Sequence, residues 1–458
     1  MNTDTRPTPD DTPETAPDDT PHTTPDTAPD TAPETAPDTV AFDIAAVRAV
    51  YPALRDGTAY LDGAAGTQTP EPVIEAIAAA YRAGIGNVGG AFPASERAGA
   101  LVDGCRRALA DLVGGEPEGV VLGANTTTLI YRFAGILAAT WRPGDEVVLS
   151  RLDHDANVRP WVQAAERAGA VVRWAEVDPD SGELPAGQYD ALLGARTRLV
   201  AVTAASNILG TRPDVAAITA KAHAAGALTY VDGVHATPHG PVDARALGAD
   251  FYATSAYKWS GPHLGAVVAD PALLASLRPE KLACSPETVP HRFETGTLPF
   301  GDLAGVTAAV DHLAGLGGSG APSGEIPGER GAHGAHGARV PRRARLLASM
   351  AAVERYEREL FGTLLDGLRA LPRVTLYGAP ARRTATAYFR VAGHPPAAVA
   401  GHLARRGVNV WSGHNYAWEL TGSLGLRDTG GAVRAGLVHY NDEEDVARFL
   451  AGVAELAG

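Results

Sequence analysis

Cysteine occurs only twice in the 458 residues, at Cys105 and Cys284. Two thiols exclude a disulfide-dense secreted scaffold and a four-cysteine zinc site. Long apolar runs are missing as well. None reaches the ~18 residues of a membrane-spanning helix, so no membrane partner is expected. The first residues are polar and acidic, without the pattern of a secretory or mitochondrial leader, and the expectation is a cytoplasmic protein. Lysine is the scarcest base: of 39 basic residues, only Lys221, Lys258 and Lys281 are lysines and 36 are arginines. Where arginine carries the surface charge, a retained lysine points to chemistry that needs a primary amine. The 53 acids leave a net charge of −14, which argues against nucleic acid as a partner.

What is present divides unevenly. Residues 1–40 hold nine prolines and twelve threonines in runs such as DTAPDTAPETAPDT, with almost nothing apolar to bury. Such a segment reads as a disordered tail. Its ten acids and one arginine account for −9, which leaves −5 for residues 41–458. A second Gly/Pro-rich stretch at about 315–342 reads as a surface insertion. Its two histidines, His333 and His336, have no Cys or carboxylate spacing beside them, so no metal is expected. The overall apolar content of 45% suffices for a substantial core. We divide the chain into a tail (1–41), a large domain (42–302) and a smaller C-terminal domain (303–458) that carries the insertion.

Short apolar runs at 119–124, 146–150, 171–177, 198–205, 227–231 and 250–255 read as buried strands, and helical patterns follow several of them. This alternation predicts an α/β fold with a parallel sheet. After the insertion, a long helix (about 343–370) leads into RVTLYG, ATAYFRVAG, the helical PAAVAGHLARRG, VNVWSG and VRAGLVHY, a smaller α+β arrangement.

Ligands of open α/β sheets sit beyond the carboxyl ends of the strands. Five successive strands deliver polar residues there: Asn125 to Thr128, Asp153 to Asp155, Ser206 and Asn207, Asp232 with His235, and Ser255 with Lys258. Thr126 to Thr128 open a helix, whose free N–H groups suit a phosphate, although a plain threonine cap reads the same way. No GxGxxG follows this strand and no GxxxxGK[ST] occurs, so a nucleotide-binding α/β protein has only the general pattern behind it. Asp232 emerges from an apolar strand and needs a partner, such as a protonated ring nitrogen. Lys258, flanked by Tyr257 and Trp259, stands where a desolvated amine can form a Schiff base. An amine, a buried carboxylate and a threonine/serine phosphate cup together describe binding of pyridoxal 5′-phosphate (PLP).

These residues lie in YLDGAAGTQTP (60–70), DHDANVRPW (153–161), SNILGT (206–211), VDGVHA (231–236), TSAYKWSGPHLG (254–265), RFETGT (292–297) and VRAGLVHYN (433–441). Taken in order, the motifs resemble the class V aminotransferase group of fold-type I PLP-dependent enzymes, most of all its cysteine desulfurase and selenocysteine lyase branch. The resemblance spans about 45–455. It implies a large domain with a mostly parallel mixed sheet flanked by helices, plus the smaller α+β domain. It also implies roles. Lys258 would be the Schiff-base lysine, Asp232 would pair with the pyridine nitrogen, and His154 would stack on the ring and shuttle protons. Asn207 and His235 would lie beside the ring hydroxyl. Thr126, Thr127, Ser255 and Tyr257 would hold the phosphate. Thr297 would reach the phosphate of a partner subunit, which implies a homodimer. Arg434 would bind the carboxylate of an amino acid or amine substrate, with Asn207, His414 and Tyr416 nearby. One departure stands out. Desulfurases carry a nucleophilic cysteine on a small-domain loop, and the equivalent stretch here, VWSGHNYAWEL (410–420), has Tyr416 in that place. A carbon–sulfur lyase or desulfurase-like elimination is therefore expected first, then an aminotransferase or epimerase. A non-catalytic PLP-fold protein is the rival.

Overall fold

Val, Ala and Leu dominate seven short strands that assemble into one sheet, and the computed structural model describes them within residues 42–317 and 340–458. The tail expected at 1–41 and the central part of the expected insertion, 318–339 with His333 and His336, lie outside the described residues. The strands are β1 (Val120–Gly123), β2 (Glu146–Ser150), β3 (Val171–Ala175), β4 (Thr197–Thr203), β5 (Leu228–Asp232), β6 (Phe251–Ser255) and β7 (Gly265–Ala269). Their order across the sheet is β1-β7-β6-β5-β4-β2-β3. The five central and outer strands from β6 to β3 run parallel, whereas β7 is antiparallel to both β6 and β1. The sheet is thus mixed. β7 was not among the expected strands, because GAVVA follows the SGPHLG turn too closely to read as a separate element.

Both faces are covered, as parallel strands require. Helices Thr126–Ala138 and Arg159–Ala168 pack on one face through Phe133, Ile130 and Trp161. Helices Pro93–Val113, Val215–Ala224 and Phe300–Leu313 supply Leu109, Ile218 and Val306 to the core on the other.

Beyond residue 340, helix Arg342–Arg369 leads into β8 (Val374–Leu376), β9 (Thr386–Val391), β10 (Trp411–Gly413) and β11 (Ala432–Gly436). These form an antiparallel sheet in the order β10-β11-β9-β8, backed by helices Pro396–Ala404 and Glu443–Ala457. The run VNVWSG splits. Val408–Asn409 pairs in parallel with Ala59–Tyr60, so the segment ahead of the large sheet joins the C-terminal part, and only Trp411–Gly413 joins the four-stranded sheet. Among the described residues no helix is long and apolar enough to cross a membrane.

Candidate active site

The polar strand ends converge at one pocket. Its wall includes Asn125, Thr126, Thr127, His154, Asn207, Asp232, His235, Ser255, Tyr257 and Lys258. Each is brought there because parallel strands present all their carboxyl ends to the same edge.

One end of the pocket is the start of helix Thr126–Ala138. Asn125 caps it, its side chain accepting from Thr128 N at 2.9 Å. Ser255 Oγ lies 2.7 Å from Thr126 Oγ1 and accepts from Thr126 N at 3.1 Å. The approach is close: a Cβ on Gly265 would stand 2.6 Å from Thr126 N, so only glycine lets β7 pass under this helix start. Thr126 is buried and Thr127 exposed.

At the other end, Asp232 is buried and takes a hydrogen bond from Val234 N at 3.0 Å. Burial pushes its pKa up to about 6, against the pull of that N–H and of Lys258. Behind it lies Asp153, fully buried, which accepts from Asn157 Nδ2 at 2.7 Å and from Ser150 Oγ. Burial raises its pKa to about 8, with Asp232 adding to the rise.

Lys258 follows β6 in a tight turn, half-buried. Its Nζ donates to Ala64 O at 2.6 Å and Ala65 O at 2.9 Å, both within the YLDGAAG motif. Burial first, and the Arg434 charge second, lower its pKa to about 7. Tyr257 lies beneath it, ring centre 5.2 Å from Nζ, and stacks on His263 at 4.9 Å.

His154 accepts from Ala156 N through Nδ1 at 3.0 Å, so Nε2 carries the proton in the neutral ring. Burial, then Lys258 and Arg434, hold its pKa down at about 3. Its ring stacks on Tyr416 at 5.4 Å. His235 is buried, with Nε2 placed 3.1 Å from the hydroxyls of both Thr384 and Thr386. Asn207 donates to Asn415 O at 2.8 Å, while its Oδ1 is buried without a partner. Arg434, on β11, donates to Asn207 O at 3.1 Å.

Other expected residues stand apart from this wall. His414 and Tyr416 belong to the loop after β10, and Tyr416 is 67% exposed, reaching the pocket only through its stack on His154. That loop is pinned: Glu419 bridges Arg151 at 2.9 Å and Arg159 at 3.0 Å, and Asp155 N donates to Tyr416 O at 2.7 Å. Thr297 is exposed and does not line the pocket. Sequence reasoning missed Asp62, whose buried Oδ1 has no partner and which faces Arg434 electrostatically, although it stands in the quoted YLDGAAG motif. It also missed Thr203, at the end of β4 on the pocket wall.

The pattern of the class-V aminotransferase family matches residues 59–321 and 344–449, and the chain belongs to that family. The chain is 38% identical over 419 residues to an uncharacterised Mycobacterium tuberculosis protein, covering 91% of this chain and 100% of the other. It is 33% identical over 442 residues to a cysteine desulfurase of Klebsiella pneumoniae subsp. pneumoniae, covering 91% and 99%. The crystal structure of the Escherichia coli cysteine desulfurase CsdA superposes with a TM-score of 0.77 at 26% identity, covering 91% of this chain and 98% of that one. Family membership indicates PLP as the cofactor. The pocket fits it. A helix start with two hydroxyls suits a phosphate, a buried carboxylate suits a ring nitrogen, and the unpartnered Asn207 Oδ1 offers an acceptor between them.

Proposed function

We propose that this chain is a PLP-dependent enzyme that acts at the α-carbon of an amino acid, by a carbon–sulfur lyase or desulfurase-like elimination. The observation that carries this reading is Lys258: an amine held near pKa 7 in the same pocket as buried Asp232 and the capped start of helix Thr126–Ala138.

Lys258 would hold the cofactor covalently, Asp232 its ring nitrogen, and Thr126, Thr127, Ser255 and Tyr257 its phosphate. His154 would cover the ring face, with Asn207 and His235 beside the ring hydroxyl. PLP, when bound, supplies an electron sink at the substrate's α-carbon. The residues of the chain supply the rest. A lysine near pKa 7 is neutral in a large share of molecules at neutral pH, so Nζ can accept a proton from the α-carbon. Arg434 offers a guanidinium to the substrate carboxylate, and its buried Nε has no partner among the described residues. His154, neutral with its proton on Nε2, can donate at the pocket wall.

Cysteine desulfurase activity belongs to the Klebsiella relative. In this chain Cys105 is buried in helix Pro93–Val113, where burial pushes its thiol up to about 12, and Cys284 is exposed away from the pocket wall. Neither resembles an activated sulfur acceptor. Elimination that leaves a keto acid and free sulfide needs no such acceptor, and this favours the lyase reading over persulfide transfer. Incubation of the PLP-loaded protein with cysteine and with cystine tests it. Pyruvate and ammonia are expected from both, with sulfide released from cysteine and a cysteine persulfide from cystine, whereas an α-keto acid that retains the substrate's side chain would establish transamination instead.

A further inference from the structure

Ser260, two residues beyond Lys258, holds a backbone φ of 68°, in the left-handed region that favours glycine. A β-substituted residue stays there only when its surroundings enforce it. Here they do. Ser260 is fully buried, its N donates to Thr67 Oγ1 at 2.7 Å, and its Oγ lies 2.8 Å from Tyr51 OH. Thr67 closes the same knot from the other side, donating through N and Oγ1 to Tyr257 O at 2.9 and 3.0 Å.

Tyr51 is the hub. Its hydroxyl also meets His439 Nε2 at 2.7 Å and His312 Nε2 at 2.9 Å. One hydroxyl offers one donor and two acceptor sites, so three partners saturate it. Those partners come from the Lys258 turn, from helix Phe300–Leu313 and from the segment after β11. The knot meets the pocket wall at one bond pair, Thr67 to the carbonyl of Tyr257, and none of it was foreseen from sequence. Its effect passes through the backbone. The turn it holds is the one that sets Lys258 Nζ on Ala64 O and Ala65 O, three and two residues before Thr67.

We infer that Tyr51 is a positioning residue for Lys258, acting by holding Ser260 in its left-handed conformation. The inference rests on the proposed role of Lys258 as the residue that bonds the cofactor. Without the Tyr51 hydroxyl, Ser260 relaxes toward negative φ, the turn opens, and the amine leaves its two carbonyls for water. The charged and titratable groups that face Lys258 are Arg434, Asp232, Tyr257, His154 and His235, and none of them is replaced by the change at Tyr51.

The test uses the full-length chain and its scarcity of lysine. Acetic anhydride labelling against pH, read by mass spectrometry, follows Lys258 with Lys221 and Lys281 as internal references. In Tyr51→Phe, the proton affinity of Lys258 is expected to rise roughly tenfold, a change of one decade in the labelling midpoint. PLP added to the same protein should bind more weakly. Adding Ser260→Gly to Tyr51→Phe should restore the Lys258 midpoint without restoring the melting temperature, because glycine takes the left-handed conformation unaided while the two histidines stay short of a partner. Should Tyr51→Phe fail to fold, Ser260→Ala alone removes the same link and should move the midpoint the same way. An unmoved midpoint in Tyr51→Phe, or in Ser260→Ala, overturns the inference. So does a double variant whose midpoint stays with that of Tyr51→Phe. Failure of the underlying reading looks different: PLP would give no visible band with the wild-type protein, or Lys258→Ala would keep it.

Discussion

Strand β1 is the edge of the large sheet, and among the described residues its outer side faces no other strand. An ion pair stands in for one. Arg106 donates to Val120 O, and Glu294 Oε1 accepts from Leu122 N at 2.8 Å. The two side chains join in a fork, Nη1 to Oε1 at 3.0 Å and Nη2 to Oε2 at 2.7 Å, and their exposures are only 6% and 7%. Consider Glu294→Ala. The guanidinium stays in the interior without its counter-charge, and Leu122 N loses its acceptor. Breaking a buried pair from one side costs ~3–5 kcal/mol. An orphaned buried N–H adds ~1–3 kcal/mol, less what entering water recovers. The expected loss is therefore at least ~3 kcal/mol, a large fraction of a typical folding stability. Urea denaturation followed by tryptophan fluorescence measures it. Arg106→Ala with Glu294→Ala should cost less than the two single losses together by ~2 kcal/mol or more, since the second change removes the stranded charge. A single-variant loss under ~1 kcal/mol, or strict additivity, would refute the edge-cap reasoning. Because β1 leads directly into helix Thr126–Ala138, weaker PLP binding should accompany the loss.

Three further outcomes are expected. Lys258→Ala should abolish the visible band of the PLP-loaded protein and the covalent attachment of the cofactor trapped by sodium borohydride reduction, detected by mass spectrometry; attachment at Lys221 or Lys281 instead would displace Lys258 from its role. Asp153 should shape the acid side of the stability profile. Its folded pKa of about 8 lies above the unfolded value of ~3.9, so the folded chain binds the proton more tightly, and stability declines as pH rises from ~4 to about 8. Asp153→Asn keeps the hydrogen-bonding shape without the titration and should flatten that decline; an unchanged slope between wild type and variant would count against a protonated Asp153. Glu419→Gln should free the loop after β10 by weakening its bridges to Arg151 and Arg159, which are partly exposed and together contribute ~1 kcal/mol. Faster amide exchange at 414–418 with little change in global stability is the expected readout; unchanged exchange would show that the backbone bonds alone hold the loop.

Much of the site was legible because its chemistry is tied to strand ends. Continuous apolar strands mark themselves by composition, and the polar residue after each one is readable without any contact being known. Asp232, Ser255 and Lys258 come out this way, and the structure gathers them on one pocket wall. The antiparallel β7 escaped notice because GAVVA follows the SGPHLG turn too closely to read as a separate element, and local sequence does not report a strand's direction in any case. Asp62 and Thr203 escaped for a related reason. Asp62 acquires meaning only when Ala59–Tyr60 pairs with Val408–Asn409 and its carboxylate comes to face Arg434. Tyr416 was legible as a position but not as a contact: its stack on His154 depends on how Glu419 and Asp155 tie the loop down.

The sequence by itself determined the α/β alternation, the polar set at the carboxyl edge, the family, and the absence of a thiol where desulfurases keep one. These follow from residue type and order, which need no third dimension. Only the tertiary structure decided the protonation of that set. The low pKa of Lys258, the raised pKa values of Asp232 and Asp153, and the neutral His154 arise from burial and from charges brought near by remote segments. The tertiary structure likewise decided the knot behind Lys258, where Tyr51 meets Ser260, His312 and His439 across separations of up to 388 residues along the chain. Hydrogen bonds of that reach exist only once the chain has closed on itself, so no local pattern announces them.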